Sequence, residues 1–441
     1  MAKRLRWLRW TLVIASIVIV AAIAVPFLVP LDALIPRVSA HASAALAQPV
    51  AIGELRLHLL PTPRAVAIGI RVGRKDEVRI EELQLVPDWI ALAGGRLALA
   101  LVRAEKVQLK EPALLIPGRM PKSDTQVEVK RFAALDVTLE HSALRLPPFN
   151  IDAELGSDLQ VRRARFSSRD GAFRLEVDPE TGQRSAVKIQ ASKWRLPFAA
   201  APLVVDSLKA SGALEGKRLT LGTIEARLYS GRVTGNARAG WQKGWQVGGN
   251  ASIEGVDLAP LQQALGQQVR LTGKLNASPK FSAAARAPEQ LAAALTIDGP
   301  FEVARGAYRG VDLSKVGDLT GSKGAGGVTQ FDELRGILQL RGRQIRVNEL
   351  CAKSSALIAG GFVEVAPDRA LSGRLGVSVA RTGGFVGVPV ALSGTAQNPT
   401  VRPTKGYTIG AVVGTVLLPG VGTALGGSAA SAMEGRPANC K

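Results

Sequence analysis

Histidine, cysteine and closely placed carboxylates do most catalytic and metal chemistry in proteins, and this chain holds few of the first two. Its histidines are His41, His58 and His141, and its cysteines Cys351 and Cys440. No histidine lies at ligand spacing from another or from a cysteine, so zinc and haem patterns are absent. No G-x-S-x-G elbow, P-loop or H-E-x-x-H occurs. Gly420, Gly422 and Gly426 approach a dinucleotide fingerprint, but their spacing is wrong and no acid follows. Glu81 and Glu82 are adjacent, which on a strand sends them to opposite faces. The residues therefore assign no catalytic, metal or cofactor role, and the chain is expected not to be an enzyme. The two cysteines permit one disulfide in an oxidising compartment, and equally permit two free thiols.

The elements that carry these residues read as strands. Leu55, Leu57 and Leu59 alternate on one face of residues 54–60. Val66, Ile68, Ile70 and Val72 alternate in residues 65–72, and Leu97, Leu99 and Leu101 in residues 96–103. Period-two alternation of this kind marks strands with one apolar and one wetter face. Similar runs recur to residue 379. Residues 87–92 (PDWIAL), with Gly94 and Gly95 behind them, are the clearest short helix. The fold class is thus mainly β: an elongated, curled antiparallel sheet with a few short helices. Gly255-Val256-Asp257-Leu258 returns as Gly310-Val311-Asp312-Leu313, each copy with Asp poised to cap a short helix. Such an echo indicates a repeated building block.

The N-terminus carries a different signal. Lys3, Arg4, Arg6 and Arg9 precede residues 10–31, which hold no charge. That stretch would span about 33 Å as a helix, enough for a bilayer core of roughly 30 Å. Cations ahead of the span hold that end in the cytoplasm and send the rest across. A cleaved leader ending at Ala40 is the rival, but the stretch exceeds the apolar core of ordinary signal peptides. A short interfacial helix is expected at residues 31–48. Of the formal charge of +20, residues 1–48 hold five cations and one anion, leaving +16 on the body. The cations are scattered singly, which suits a solvated surface or attraction to anionic headgroups. Residues 406–433 carry no charge, and Gly406, Gly410 and Gly414 recur at four-residue spacing, a pattern of close packing in lipid or against the sheet.

Five segments follow: 1–48, the cytoplasmic tip, transmembrane helix and interfacial helix; 49–120, an N-terminal β unit; 121–200, a middle β segment; 201–405, a C-terminal β region; and 406–441, an apolar Gly-rich tail. Their order resembles the AsmA family of inner-membrane-anchored periplasmic proteins of Gram-negative bacteria. The resemblance rests on RLHLLPTPRAVAIGIRV, VRIEELQLVPDWIALAGGRLAL and VQLKEPALLIPG early. Late in the chain it rests on RLTLGTIEARLYSGRVTGNA, DGPFEVARGAYRGVDL and PVALSGTAQNPTVRP. The middle is shorter than in larger relatives. The resemblance implies a groove with an apolar inside, and a role in outer-membrane biogenesis through phospholipid binding and transfer. The expected partners are the inner membrane, phospholipid acyl chains and periplasmic assembly proteins, with no nucleic acid. Groove-lining candidates are Leu55, Leu57, Leu59, Val66, Ile68, Ile70, Leu97, Leu99 and Leu101. The alternative is a scaffold that moves no lipid and assists assembly of outer-membrane proteins or lipopolysaccharide.

Overall fold

The computed structural model describes residues 34–58, 62–96, 98–110, 128–140, 146–156, 161–180, 184–197, 203–313, 325–381, 384–404 and 440. No helix among them is long and apolar enough to cross a membrane. The expected span at residues 10–31, and the uncharged stretch 406–433, lie outside the described residues. The chain is mainly β, with three short α-helices among these residues, and divides into two compact units. One comprises residues 1–181 with 197–199, the other residues 182–196 with 200–441.

The first unit contains β1 (Val50–Ala51), β2 (Glu54–His58), β3 (Arg64–Val72), β4 (Val78–Pro87), β5 (Ala98–Lys110), β6 (Glu128–Val129), β7 (Arg131–Glu140), β8 (Phe149–Leu155), β9 (Val161–Ser168) and β10 (Phe173–Pro179). β1 and β2 both pair with β3, and the sheet then runs β3, β4, β5, β7, β8, β9, β10. One feature departs from the expected all-antiparallel order: β6 and β7 pair with β5 in parallel. Parallel neighbours need a connection of a dozen residues or more, and residues 111–127 provide it. Period-two patterning identifies strands but is blind to their direction, so the Pro-rich boundary read there from sequence did not reveal the crossover.

The second unit contains β11 (Arg184–Arg195), β12 (Val204–Glu215), β13 (Arg218–Leu228), β14 (Gly231–Gly240), β15 (Trp245–Asp257), β16 (Leu271–Ala277), β17 (Lys280–Ala285), β18 (Thr296–Val311), β19 (Ala325–Arg341), β20 (Gln344–Lys353), β21 (Leu357–Val365), β22 (Leu371–Arg381), β23 (Gly384–Gly394) and β24 (Pro399–Pro403). All are antiparallel to their neighbours. β16 and β17 lie end to end between β15 and β18, as one strand interrupted at Ser278-Pro279. Proline has no amide to give the ladder, yet the Pro279 carbonyl still accepts from the Ala251 amide at 3.0 Å. β24 lies against β18 and β19, so this end of the sheet rolls onto itself.

Helices occupy the sheet margins. α1 (Ile35–Leu46) starts with Pro36 in its first turn and sets Leu46 against Ala67, Ile70 and Val72. α3 (Leu258–Ala264) is capped by Asp257, whose carboxylate accepts from the Ala259 amide at 3.1 Å. Its Leu258 and Leu261 enter the core of the rolled end. The sequence echo has a structural basis: Gly255 and Gly310 both adopt positive φ, 65° and 127°, and Val256 and Val311 behind them are buried. The second helix expected after Asp312 lies mostly outside the described residues.

α2 (Trp89–Ala93) follows β4 and is fixed by a buried cap. The Ile90 and Ala91 amides donate to Asp88 Oδ1 at 3.1 and 3.2 Å, and the Lys130 ammonium pairs with the other oxygen. The Lys130 ammonium, and then the Ala91 amide, hold the Asp88 carboxyl below the usual aspartate range. A carboxylate with a lowered folded value contributes its stability above its ordinary value, and loses it as pH falls through the lowered one. Protection of the Ile90 and Ala91 amides, as exchange relative to the intrinsic rate at each pH, should therefore be full at neutral pH and fall only in acid below the ordinary aspartate value. Asp88→Asn should remove that pH dependence.

Candidate functional site

The sheet of the first unit has two chemically distinct faces, and strand register defines them. Directly opposed residues share a face, so Leu55, Ala67, Leu83, Ala104, Ala134, Ile151, Phe166 and Leu175 form one row across eight strands. Every member is apolar. The neighbouring row runs Arg56, Val66, Gln84, Arg103, Ala133, Asp152, Arg165 and Glu176, and faces the other way. Ion pairs lace this second face, among them Arg56 with Glu54 at 2.7 Å and Arg163 with Asp178 at 2.8 Å. Exposed pairs of this kind are each worth under about 1 kcal/mol, so their part is to keep the face wet.

The groove candidates do not share one face. Leu55, Leu57 and Ile70 lie on the apolar side, the last against Ala67 and Ile80 in the core. Val66 and Ile68 lie on the charged side, opposite Arg56 and Glu54. Leu101, opposite Val86, also lies on that side, and Leu99 is half-buried opposite Pro87, beyond a shift in the β4–β5 register. Leu59 and Leu97 fall outside the described residues. The reason is local: Gly69 at φ 68° reverses the side-chain alternation without shifting the β3–β4 register, and so turns Ile70 and Val72 to the face that Ala67 occupies. Lys106, also at positive φ, makes the same correction on β5, bringing Ala104 and Val107 to one side. Unbroken alternation read from sequence runs straight through such reversals. A glycine amid apolar β-branched residues was the available signal at residue 69.

In the second unit the apolar face has two states of cover. Toward the rolled end, Leu275, Val303, Leu334, Ala352, Ala359, Val377 and Val388 form a row whose members belong to one core. Val303, Val377 and Val390 there are almost wholly inaccessible. Toward the other end nothing among the described residues covers the face. On β13, Leu219, Leu221, Ile224, Ala226 and Leu228 are half-buried, alternating with exposed Arg218, Thr220, Thr223, Glu225 and Arg227. None of these apolar side chains is fully buried, although they are as hydrophobic as the core at the rolled end.

The open face also has a distinct floor. The inward positions of β14, β15 and β17 carry Gly235, Ala237 and Ala239, then Val247, Gly249 and Ala251, then Ala283, with the Phe281 ring reaching over Gly249. Larger residues flank them: Leu221 and Ile224 on β13, Phe281 on β17 and Ile297 on β18. Small side chains rise less from the sheet than their neighbours, so the strip is a shallow apolar trough across the strands. Five strand positions, β12 to the β16–β17 layer, span about 20 Å at ~4.8 Å each. That exceeds the roughly 15 Å half-thickness of a bilayer core.

Cys351 and Cys440 are joined in a disulfide. Register puts Cys351 opposite Arg335 and Gly360, on the face turned away from the core residue Ala352. A cleft of about 770 Å³ adjoins the bond on this polar side, lined in part by Asn276, Glu302, Arg335 and Glu349. His41 bonds within α1 through the Arg37 carbonyl, and His58 sits at the end of β2. Among the described residues no three His, Cys, Asp or Glu side chains converge as metal ligands.

The described chain is thus a mainly β protein whose sheets separate an apolar face from a charged one. No protein-family model matches it, and neither does any curated protein or solved structure.

The left-handed turn of the backbone at Gly69 is testable. A Cβ there would meet nothing closer than the Gly53 Cα at 3.9 Å, so only backbone conformation opposes a side chain. Gly69→Val should cost about 1–2 kcal/mol of the stability of the first unit, read from its denaturant midpoint. An unchanged midpoint would mean that the left-handed conformation of residue 69 is not needed to turn Ile70 inward.

Proposed function

We propose that this chain is an AsmA-like, inner-membrane-anchored protein with a periplasmic body that binds phospholipid and passes it along during outer-membrane biogenesis. The observation that carries the reading is the open trough of the second unit. Soluble proteins rarely leave a contiguous apolar surface of this extent uncovered, and such a surface normally has an occupant. An acyl chain suits a strip floored by glycine and alanine, because it needs width and a smooth apolar wall, with no directional bonds. On this reading the protein carries no catalytic residues, because shielding acyl chains requires none.

The packed core of β18–β24 supports a second reading for that part of the chain. An interior filled by Val303, Val377 and Val390 has no room for a lipid, which fits a scaffold that assists outer-membrane assembly. Under the first reading this roll is the closed end of the lipid-binding stretch.

Mass spectrometry of the protein extracted in mild detergent should find co-purified phospholipid. A photo-crosslinker at Ile224 should capture phospholipid, whereas one at Val377 should not. Leu221→Glu should lower capture at Ile224 at least ~5-fold at normal expression, because a carboxylate in an apolar trough is strongly disfavoured. No retained lipid, together with no capture at Ile224, would sink the transfer reading and leave the scaffold.

A further inference from the structure

Among the described residues of the first unit the three most exposed large apolar side chains lie at one end of its strands, while Leu34 and Val38, less exposed, belong to the α1 segment. Ile90 is 87% exposed and Trp89 is 54% exposed, side by side on α2. Val161, which opens β9, is 56% exposed. Register places them along one rim. β4 ends at Pro87, opposite Leu99, and the Lys130 amide donates to the Leu99 carbonyl. The Leu155 amide then donates to the Lys130 carbonyl, and Leu155 pairs with Val161. Four strand steps, about 19 Å, separate α2 from β9 along this rim.

Two further observations bear on what the rim meets. The helix is held rigidly by its buried Asp88 cap and the Lys130 pair, so Trp89 and Ile90 are displayed by a fixed platform. Cations stand beside them: Arg96 just after α2 is 73% exposed, with Glu128 only at 3.9 Å, and Arg162 next to Val161 is exposed. An exposed tryptophan and isoleucine with Arg96 beside them, and an exposed valine with Arg162 beside it farther along the rim, match the layered chemistry of a bilayer surface. The ring and the aliphatic chain enter the headgroup boundary while the guanidinium groups meet phosphate. A protein partner would bury such residues in a matching pocket, and the arginines then require matching acids. An anionic bilayer satisfies both demands without a shaped surface.

We propose that the α2–β9 rim of the first unit docks on the surface of an anionic lipid bilayer, with Trp89 and Ile90 as the inserting residues. This contact is separate from the apolar N-terminal stretch and does not depend on lipid lying in the trough, so either proposal can fail alone.

Because the two native cysteines are bonded to each other, a single introduced cysteine can be labelled selectively. The full chain, reconstituted in phosphatidylcholine nanodiscs, would carry an environment-sensitive fluorophore on Ile90→Cys, with Phe362→Cys in the second unit as control. Addition of vesicles containing phosphatidylglycerol, or its inclusion in the nanodisc, should brighten the label at position 90 at least about twofold and leave position 362 unchanged. Whichever arm responds identifies the membrane that is met. Arg96→Glu with Arg162→Glu should abolish most of that response. No response at position 90 in either arm would overturn the proposal, as would equal responses at both positions or with phosphatidylcholine alone. In the unlabelled chain, Trp89→Ser with Ile90→Ser should lower flotation with anionic vesicles several-fold, and unchanged flotation would count equally against it.

Discussion

Everything in this protein depends on the two-residue period of an extended chain. Each strand must choose one side for its apolar residues, and hydrogen bonding to its neighbours passes that choice across the sheet. Eight strands of the first unit agree on it without exception along the row from Leu55 to Leu175. Eight strands of the second agree from Ala191 through Leu208, Ala226, Val233, Ile253, Ala277 and Phe301 to Gly336. Where the sequence slips by one residue, a bulge restores agreement, because a slip would otherwise expose every following apolar side chain.

A face chosen in this way must still be covered, and the chain solves this differently along its length. In the first unit Leu46 of α1 covers Ile70 and Val72, and Phe149 stacks on Phe166 at 4.6 Å beside Val137. In the second unit β18–β24 curl until Val401 of β24 reaches the cluster around Val303 and Phe331. Between β12 and β17 neither device operates among the described residues, and the apolar wall stays half-open. The contrast between covered and uncovered stretches of one chemically uniform surface is what gives the open stretch its functional weight.

Much of this was legible in the sequence. Alternation disclosed the strands, Pro87 and Gly94 bracketed α2, and the Gly-Val-Asp-Leu echo marked two positions where glycine turns the chain and valine enters the core. The disulfide was one of two readings that Cys351 and Cys440 left open, and the structure joins them. What stayed hidden depends on long-range register. The split of Val66 and Ile68 from Ile70 follows from the backbone angle of one glycine. The parallel step from β5 to β7 leaves no trace in hydropathy. The trough escaped notice because it is defined by small residues on three strands far apart in sequence, none conspicuous alone. The leucine-rich early strands are more conspicuous in sequence, yet their inward residues are largely occupied by their own core.

The bond between Cys351 and Cys440 has a mechanical consequence. It closes β21, β22, β23 and β24 inside a covalent loop with a sequence separation of 89 residues. Tension entering through β20 and leaving beyond Cys440 would pass through the sulfur bridge and bypass those four strands. The roll that completes the packed end is thus shielded from pulling while the bond is intact, so a load on the chain would first have to loosen strands outside the loop.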